Sequence, residues 1–205
     1  MACLIKICGL TRPADIEAVN TARPDYIGFI FAKSRSQIDA AAAAHLREKL
    51  SPDITPVGVF VNESIDKVAQ LVHNGVIDAI QLHGDEDEDY IQTLKSQVDA
   101  PIIKAISVQQ PGDVQKRANT CADYILLDSK GGGTGKAFDW DLIGDVPRKF
   151  FLAGGLNANN VEAAINKIHP YAVDASSGVE TNGQKDPEKI MEFIRRVRHE
   201  NISRV

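Results

Sequence analysis

The sequence L-I-K-I-C-G-L-T, residues 4–11, begins with a run that predicts a short buried β-strand from Leu4 to Ile7 and then stops at a glycine. Because side chains of a strand alternate between its two faces, Lys6 and Cys8 project to the same side. A lysine and a thiol on one face of an apolar strand are unusual for packing alone. For an isolated strand the default interpretation is still a structural cysteine beside a snorkelling lysine. The residues that the other strands bring to the same end decide whether Lys6 and Cys8 only pack or form part of a functional site.

Short apolar runs alternate with helical segments along the whole chain. The predicted strands are Leu4–Ile7, Tyr26–Phe31, Pro56–Val61, Asp78–Leu82, Pro101–Ala105, Asp123–Asp128, Phe150–Ala153 and Tyr171–Asp174. Continuous apolar strands separated by helices indicate a parallel sheet covered on both faces. Eight such units predict an α/β fold, a closed (β/α)8 TIM barrel, as a single compact domain over residues 1–205. An open doubly wound sheet is disfavoured because the first strand is not followed by G-x-G-x-x-G.

Composition narrows the function classes. A formal net charge of −5 provides no basic field, so neither nucleic acid nor an anionic membrane is an expected partner. Three cysteines without paired metal-ligand spacing suit a reducing compartment. No apolar stretch approaches the roughly 18 residues that span a bilayer, and the N-terminus has no pattern of a secretion signal. We expect a cytoplasmic protein, a monomer by default with a homodimer as the alternative.

Polar and very small residues stand at the predicted C-terminal strand ends, where this barrel builds its active site. Cys8 follows the first strand and Asp128 ends the sixth, so the two should face each other across the barrel mouth. A thiol and a carboxyl on opposite sides of a ligand form an acid–base pair that can move a proton. A neighbouring lysine would lower the thiol pKa, and burial would raise the carboxyl pKa, as these roles require.

Two glycine-rich segments follow the seventh and eighth strands. Gly154 and Gly155 lead towards a helix that begins at Asn157 or Ala158, and Asn157 is expected to bind the substrate with the two glycines. The turn Ser176-Ser177-Gly178 comes after the eighth strand. Backbone N–H groups in such loops bind anions, and these two loops form the usual phosphate site of the fold. Each segment alone would fit an ordinary tight turn that needs glycine. Together with the acid–base pair they predict proton-transfer isomerisation of a small phosphorylated sugar derivative, with neither metal nor redox cofactor.

Other polar groups receive supporting assignments. Asp174 lies on the inward face of the eighth strand and either contacts the ligand or pairs with Lys6. Gln81 and His83 end the fourth strand, and His83 has no second ligand at metal spacing. The loop 129–136 is a lid or a plain long turn. It is not a Walker loop, because alanine follows the lysine of its glycine-rich run.

The chain resembles the phosphoribosylanthranilate isomerase family over nearly its whole length and in the same order. The matching motifs are K-I-C-G-L-T at 6–11, G-V-F-V-N at 58–62, Q-L-H-G at 81–84, L-L-D at 126–128, G-K-A-F-D-W at 135–140, A-G-G-L at 153–156 and V-D-A-S-S-G-V-E at 173–180. The resemblance implies an Amadori rearrangement in tryptophan biosynthesis. It also implies that Cys8 is the general base, that Asp128 is the general acid, and that the glycine and serine turns hold the substrate phosphate.

One position departs from the family pattern. The loop after the second strand usually reads S-x-R-x, with the arginine meeting the anthranilate carboxylate, whereas this chain has Arg35 one residue early and Ser36 in the arginine's place. A hydroxyl does not replace a planar guanidinium for this purpose. Either Arg35 reaches the carboxylate or recognition of the aromatic acid is weakened. The second outcome leaves open a non-catalytic or altered-specificity phosphate-binding barrel.

Two further enzyme classes also bind phosphates in such a barrel. A sugar-phosphate epimerase would need His and Asp metal ligands at the strand ends, and the next synthase of the same pathway would need a glutamate and two lysines. Cys8 suits neither class well.

Overall fold

The computed structural model describes residues 2–129 and 139–203, the last three of them as backbone. Eight parallel strands form a closed barrel in chain order, and the eighth strand pairs back onto the first. The barrel strands are β1 (Leu4–Cys8), β2 (Tyr26–Ile30), β3 (Thr55–Phe60), β4 (Ala79–Leu82), β5 (Ile102–Val108), β6 (Tyr124–Ser129), β7 (Phe150–Leu152) and β8 (Ala172–Ala175).

Helices cover the outside of the barrel. Within the described ranges they are α1 (Pro13–Ala22), α2 (Ala40–Arg47), α3 (Ile65–His73), α4 (Glu88–Gln97), α5 (Asp113–Arg117), α6 (Val161–Ile168) and α7 (Pro187–Ser203), with 3₁₀ turns at Trp140–Leu142 and Ser177–Val179. A short antiparallel hairpin of β9 (Glu180–Thr181) and β10 (Gln184–Lys185) joins β8 to α7. In the part of the chain that the structure describes, no helix combines the length and apolar character needed to cross a bilayer.

The predicted (β/α)8 barrel is confirmed, and one predicted helix boundary was wrong. The helix after the seventh strand begins at Val161 instead of Asn157 or Ala158. The hairpin after β8 was not predicted, since two-residue strands carry too little pattern to be recognised. Asp87 caps α4 by accepting from the Tyr90 amide. Residues 130–136 of the loop proposed as a lid lie outside the described residues.

The barrel interior explains why the polar side chains gather at one end. A buried apolar cluster fills the middle of the barrel, and each of four members stands two residues before a polar or small residue at the barrel mouth. Those four are Ala79, Leu126, Phe151 and Ala172. Because strand side chains alternate, the residue two positions later faces the same way, one layer nearer the C-terminal end. Below them, Tyr26, Tyr124 and Tyr171 close the opposite end of the barrel around Phe151.

The loop after β1 is held by a buried carboxylate. Asp15 accepts from the backbone amides of Thr11 at 2.9 Å and Arg12 at 3.0 Å. Its other oxygen accepts from the Arg12 guanidinium at 2.6 Å and 3.0 Å. The same guanidinium reaches across to the hairpin and donates to the Lys185 carbonyl at 2.9 Å. Asp15 therefore joins the first loop of the barrel to the segment that follows β8.

We expect Asp15→Ala to lower the free energy of unfolding by about 2–3 kcal/mol, because it leaves two amides and a guanidinium without their acceptor. Asp39→Ala is the matched control: it removes an exposed cap that accepts from one amide, that of Ala42 at 2.8 Å, and should cost about 1 kcal/mol. Urea unfolding followed by circular dichroism measures both. Equal losses in the two variants would contradict the role given to Asp15.

Candidate active site

A cavity of about 610 Å³ opens at the C-terminal ends of the barrel strands. Its walls contain eleven of the twelve residues predicted to be catalytic or substrate-binding: Cys8, Arg35, Gln81, His83, Asp128, Gly154, Gly155, Asp174, Ser176, Ser177 and Gly178. Asn157 instead braces the turn after β7, where its side-chain amide donates to the Gly155 carbonyl at 3.3 Å. The fold thus brings residues from six strand ends to one site.

Cys8 lies above a buried ion pair. Lys6 is fully buried, and its Nζ is 2.9 Å from Asp174 Oδ2. Lys6 and Asp174 are also paired residues in the ladder that joins β1 to β8. A side chain on the neighbouring strand would leave the thiol no room, since a Cβ at Gly28 would lie 2.5 Å from Cys8 Sγ. The thiol therefore occupies a fixed place beside a buried cation.

Burial and charge act in opposite directions on this thiol. Burial raises the pKa of Cys8, and the Lys6 ammonium counteracts that rise without cancelling it. Burial would lower the pKa of Lys6, but Asp174 and Cys8 together outweigh burial, and the pKa of Lys6 is raised. Lys6 consequently stays charged and, with a smaller contribution from Lys185, opposes the rise in the thiol pKa.

Asp128 lies on the other side of the cavity beside His83. The distance from His83 Nε2 to Asp128 Oδ2 is 3.6 Å, and Gln81 Nε2 lies 2.9 Å from His83 Nδ1. Burial raises the pKa of the Asp128 carboxyl, with His83 opposing the rise. Burial lowers the pKa of His83, with Asp128 opposing the fall. Both shifts favour the uncharged forms, so Asp128 keeps a proton to a higher pH than an exposed aspartate and can act as an acid.

The two turns predicted to bind phosphate lie against each other. Gly154 and Gly155 have φ values of 89° and 69°, which favour glycine. Gly178 has no room for a side chain, because a Cβ there would lie 1.9 Å from the Leu156 carbonyl oxygen. The turns after β7 and β8 are therefore packed backbone to backbone at one wall of the cavity.

In the loop after β2, the side chains of Arg35 and Ser36 lie in different environments. Ser36 is buried, and the Arg35 side chain is 55% exposed and pairs with Glu180 of the hairpin. Arg35 still lines the cavity. The guanidinium at position 35 therefore lies at the rim, tied to the segment after β8, while the position usually held by arginine presents a hydroxyl.

Several buried charged residues around the site were missed in the sequence. Glu86 accepts from the amides of Asn62 at 2.7 Å and Gly84 at 2.9 Å, and Lys104 binds it at 2.7 Å. Lys185 and Glu180 form another buried pair at 2.5 Å. Glu86 stands in an acidic run that fits a solvated helix start, and Lys185 precedes a helix, so neither has a local signal of burial.

A second cavity, of about 660 Å³, lies at the N-terminal ends of β7 and β8. The cationic side chains of this second cavity make structural contacts with the surrounding protein. Arg148 donates to backbone carbonyls, including that of Ala118 at 3.0 Å, and Lys149 lies over the Tyr171 ring. Lys167 pairs with Asp141 at 2.6 Å. We assign the chemistry to the first cavity, since there a thiol, a carboxyl and anion-binding turns converge.

Fold and site together define a (β/α)8-barrel enzyme whose C-terminal face carries a cavity lined by a buried thiol and a buried carboxyl. The family profile described as N-(5'phosphoribosyl)anthranilate (PRA) isomerase matches residues 5–196. The chain belongs to this isomerase family.

Individual relatives agree with the family profile. An N-(5'-phosphoribosyl)anthranilate isomerase from Endomicrobium trichonymphae is 48% identical over 198 residues, which cover 95% of this chain and 98% of the relative. The phosphoribosyl anthranilate isomerase structure from Thermotoga maritima is 36% identical, with a TM-score of 0.87 and coverage of 97% and 100%. A further solved isomerase, in complex with reduced 1-(o-carboxyphenylamino)-1-deoxyribulose 5-phosphate, is 35% identical, with a TM-score of 0.84 and the same coverage.

We expect Lys6→Met to raise the pKa of Cys8 by about 1–3 units, because the cation that stabilises the thiolate is lost. The measurement is the rate of iodoacetamide labelling of Cys8 against pH, read by mass spectrometry of its peptide. Lys6→Met/Asp174→Asn removes both charges of the buried pair and should give an intermediate profile, since Asp174 itself raises the thiol pKa. An unchanged profile in folded Lys6→Met would remove Lys6 from the mechanism.

Proposed function

We propose that the chain converts N-(5'-phosphoribosyl)anthranilate to 1-(2-carboxyphenylamino)-1-deoxyribulose 5-phosphate, the isomerisation step of tryptophan biosynthesis, with Asp128 as general acid and Cys8 as general base. The observation that carries the proposal is the placement of this thiol and this carboxyl in one cavity with the two glycine and serine turns. Membership of the isomerase family supports the same reaction.

The cavity has a polarity that orients the substrate. The turns at Gly154–Gly155 and Ser176–Gly178 offer backbone N–H groups to the phosphate. Apolar side chains from β2, β3 and the loops that follow them form another part of the wall and suit the aromatic ring: Ile30, Ala32, Val59 and Val61. Gln81 Oε1 and Asp174 Oδ1 are buried oxygens for which the described residues provide no hydrogen-bond donor. The ribose hydroxyls can donate to them.

The reaction begins at the ribose ring oxygen. Asp128 gives that oxygen a proton as the bond from C1 to the ring oxygen breaks, and the anthranilate nitrogen lone pair forms the Schiff base. Burial holds the pKa of Asp128 above its ordinary value, so the carboxyl keeps the proton that this step consumes to a higher pH than an exposed aspartate would. His83 Nε2, 3.6 Å from Asp128 Oδ2, stabilises the negative charge that the carboxylate carries after it has given up its proton.

Cys8 performs the second proton transfer. Its thiolate removes the proton on C2, and the electrons of that C–H bond form the enolamine, which tautomerises to the ketone. Over the whole cycle the ring oxygen and C1 each gain a proton, while C2 and its hydroxyl each lose one, so the reaction is an isomerisation that consumes no oxidant or reductant. Lys6 stabilises the thiolate that the step requires, against the effect of burial.

Arg35 is the cation that this loop offers to the anthranilate carboxylate. Glu180 holds the guanidinium at the cavity rim, and a guanidinium has five N–H donors, so one carboxylate does not exhaust them. Ser36 adds a hydroxyl beneath it. The alternative of a non-catalytic or altered-specificity barrel was based on this departure alone, whereas the acid–base pair of the family is complete here.

The remaining parts of the proposal come from the sequence. The eight strand–helix units of the sequence favour one domain over residues 1–205. The protein is a cytoplasmic monomer, with a homodimer as the alternative, and it acts without a metal or cofactor. Size-exclusion chromatography with light scattering distinguishes the two assembly states.

We expect Cys8→Ala and Asp128→Asn each to lower kcat by about 10²–10⁴-fold, since each removes one proton-transfer group. Loss of the fluorescence of the anthranilate substrate follows the reaction. Inorganic phosphate should bind both variants with affinity close to that of the unmodified protein, because neither residue belongs to the turns. Cys121→Ser, remote from the cavity, is the control and should keep full activity. Near-normal rates in both variants would refute the assignment of acid and base.

We expect Arg35→Met to raise KM by about tenfold or more with a smaller effect on kcat, because it removes a cation from the carboxylate end of the substrate. Lys33→Met is the matched control, since Lys33 lies in the same loop and also lines the cavity. An equal rise in KM in both variants would mean that general positive charge is sufficient and that Arg35 has no special role.

A further inference from the structure

Lys185 is a buried cation directly behind the turn that follows β8. Its side chain is 2% exposed. Nζ donates to the Ser176 carbonyl at 3.1 Å, to Ser176 Oγ at 3.3 Å and to Glu180 Oε1 at 2.5 Å. An ammonium group has three donors, and these three acceptors use all of them. Lys185 is therefore bound to the turn on one side and to a carboxylate on the other.

This arrangement fixes the direction in which Ser176 can donate. A hydroxyl has one hydrogen and two lone pairs, and Lys185 can only donate. Ser176 Oγ thus accepts from behind, which leaves its hydrogen for an acceptor on the other side. Ser176 lines the cavity. An anion in the cavity is the acceptor that this geometry favours.

Lys185 is held in place from outside the site. Arg12 donates to the Lys185 carbonyl at 2.9 Å and to Gln184 Oε1 at 2.5 Å. Asp15 in turn fixes the Arg12 guanidinium. The backbone of β10 is therefore anchored to the loop after β1, and the ammonium cannot retreat from the turn without breaking these contacts.

The local charge balance is positive. Glu180 contacts Lys185 with one carboxylate oxygen and Arg35 with the other. One carboxylate between two cations leaves a net charge of about +1 next to the turn. The effect of a buried charge on a ligand is screened less than that of a surface charge. A dianionic ligand at the turn gains from this excess.

We propose that Lys185 is a positioning residue of the phosphate subsite: from behind the turn it orients Ser176 and adds buried positive charge, without touching the phosphate. The inference rests on the proposed function, because it deepens the assignment of the turn after β8 as a phosphate site. Glu180 links this subsite to Arg35 at the cavity rim, so the same carboxylate steadies the residues at both ends of the substrate.

The test is a calorimetric titration of inorganic phosphate into the purified full-length protein and its variants, in parallel with steady-state kinetics. Lys185→Met is expected to weaken phosphate binding about tenfold or more. It should raise KM for the substrate by a larger factor than it lowers kcat, since Lys185 touches no reacting atom and lowers the pKa of Cys8 less than Lys6 does. Lys189→Met is the matched control: this exposed lysine donates to the Glu180 carbonyl at 2.7 Å, and its loss should leave phosphate binding unchanged.

Two further variants separate positioning from folding. Lys185→Met/Glu180→Gln removes the buried charge with its partner, which avoids an unpaired carboxylate, and should bind phosphate as weakly as Lys185→Met. Ser176→Ala leaves the ion pair intact and should weaken phosphate binding about threefold or more, whether or not the Lys185 variants fold. Unchanged phosphate affinity in Ser176→Ala or in a folded Lys185 variant overturns the inference, as does an equal loss in Lys189→Met.

The calorimetric reading does not depend on turnover. A protein that binds phosphate through Lys185 but does not isomerise the substrate would refute the proposed function alone. An active enzyme whose phosphate affinity is indifferent to Lys185 would refute this inference alone. Absence of phosphate binding by the unmodified protein would also overturn it.

Discussion

The buried ion pair between Lys6 and Asp174 is the interaction on which the site depends. It connects the strands that close the barrel, at 2.9 Å, and it lies directly below the Cys8 thiol. Such a pair adds little net stability compared with an apolar pair of the same shape, yet removal of one partner leaves an uncompensated charge that costs about 3–5 kcal/mol. Its value here is chemical. A charged lysine counteracts the rise in the Cys8 pKa that burial imposes, and the carboxylate keeps that lysine charged.

Buried carboxylates hold the loops around this centre. Asp15 binds the loop after β1, Glu86 binds the loops after β3 and β4, and Glu180 binds the loop after β2 to the hairpin after β8. Each has at least one cationic partner, so none is an unpaired buried charge. This arrangement restricts loop motion before the substrate arrives. Pre-organisation of that kind lowers the entropic cost of aligning a proton donor and a proton acceptor with the substrate.

Much of the barrel was visible in the apolar runs, because a strand buried on both faces leaves a local pattern. The ends of those runs also located the cavity, since parallel strands in a barrel end at one face. The burial of Glu86 and Lys185 was not visible. In an acidic run, every carboxylate has the same local pattern, and only the neighbouring loops decide which one turns inward. Likewise, the sequence showed that Arg35 is displaced by one position, but not that its guanidinium meets Glu180.

The sequence by itself therefore determined the order of strands and helices, the chemical types of the groups at the strand ends, and the resemblance to an isomerase family. Only the tertiary structure decided which of those groups are partners. Lys6 and Asp174 are separated by 168 positions, and Arg35 and Glu180 by 145. Such pairs depend on the register in which the last strand meets the first, and on the path of loops packed against each other. Register and packing arise from the whole closed sheet, so no local stretch of sequence contains them.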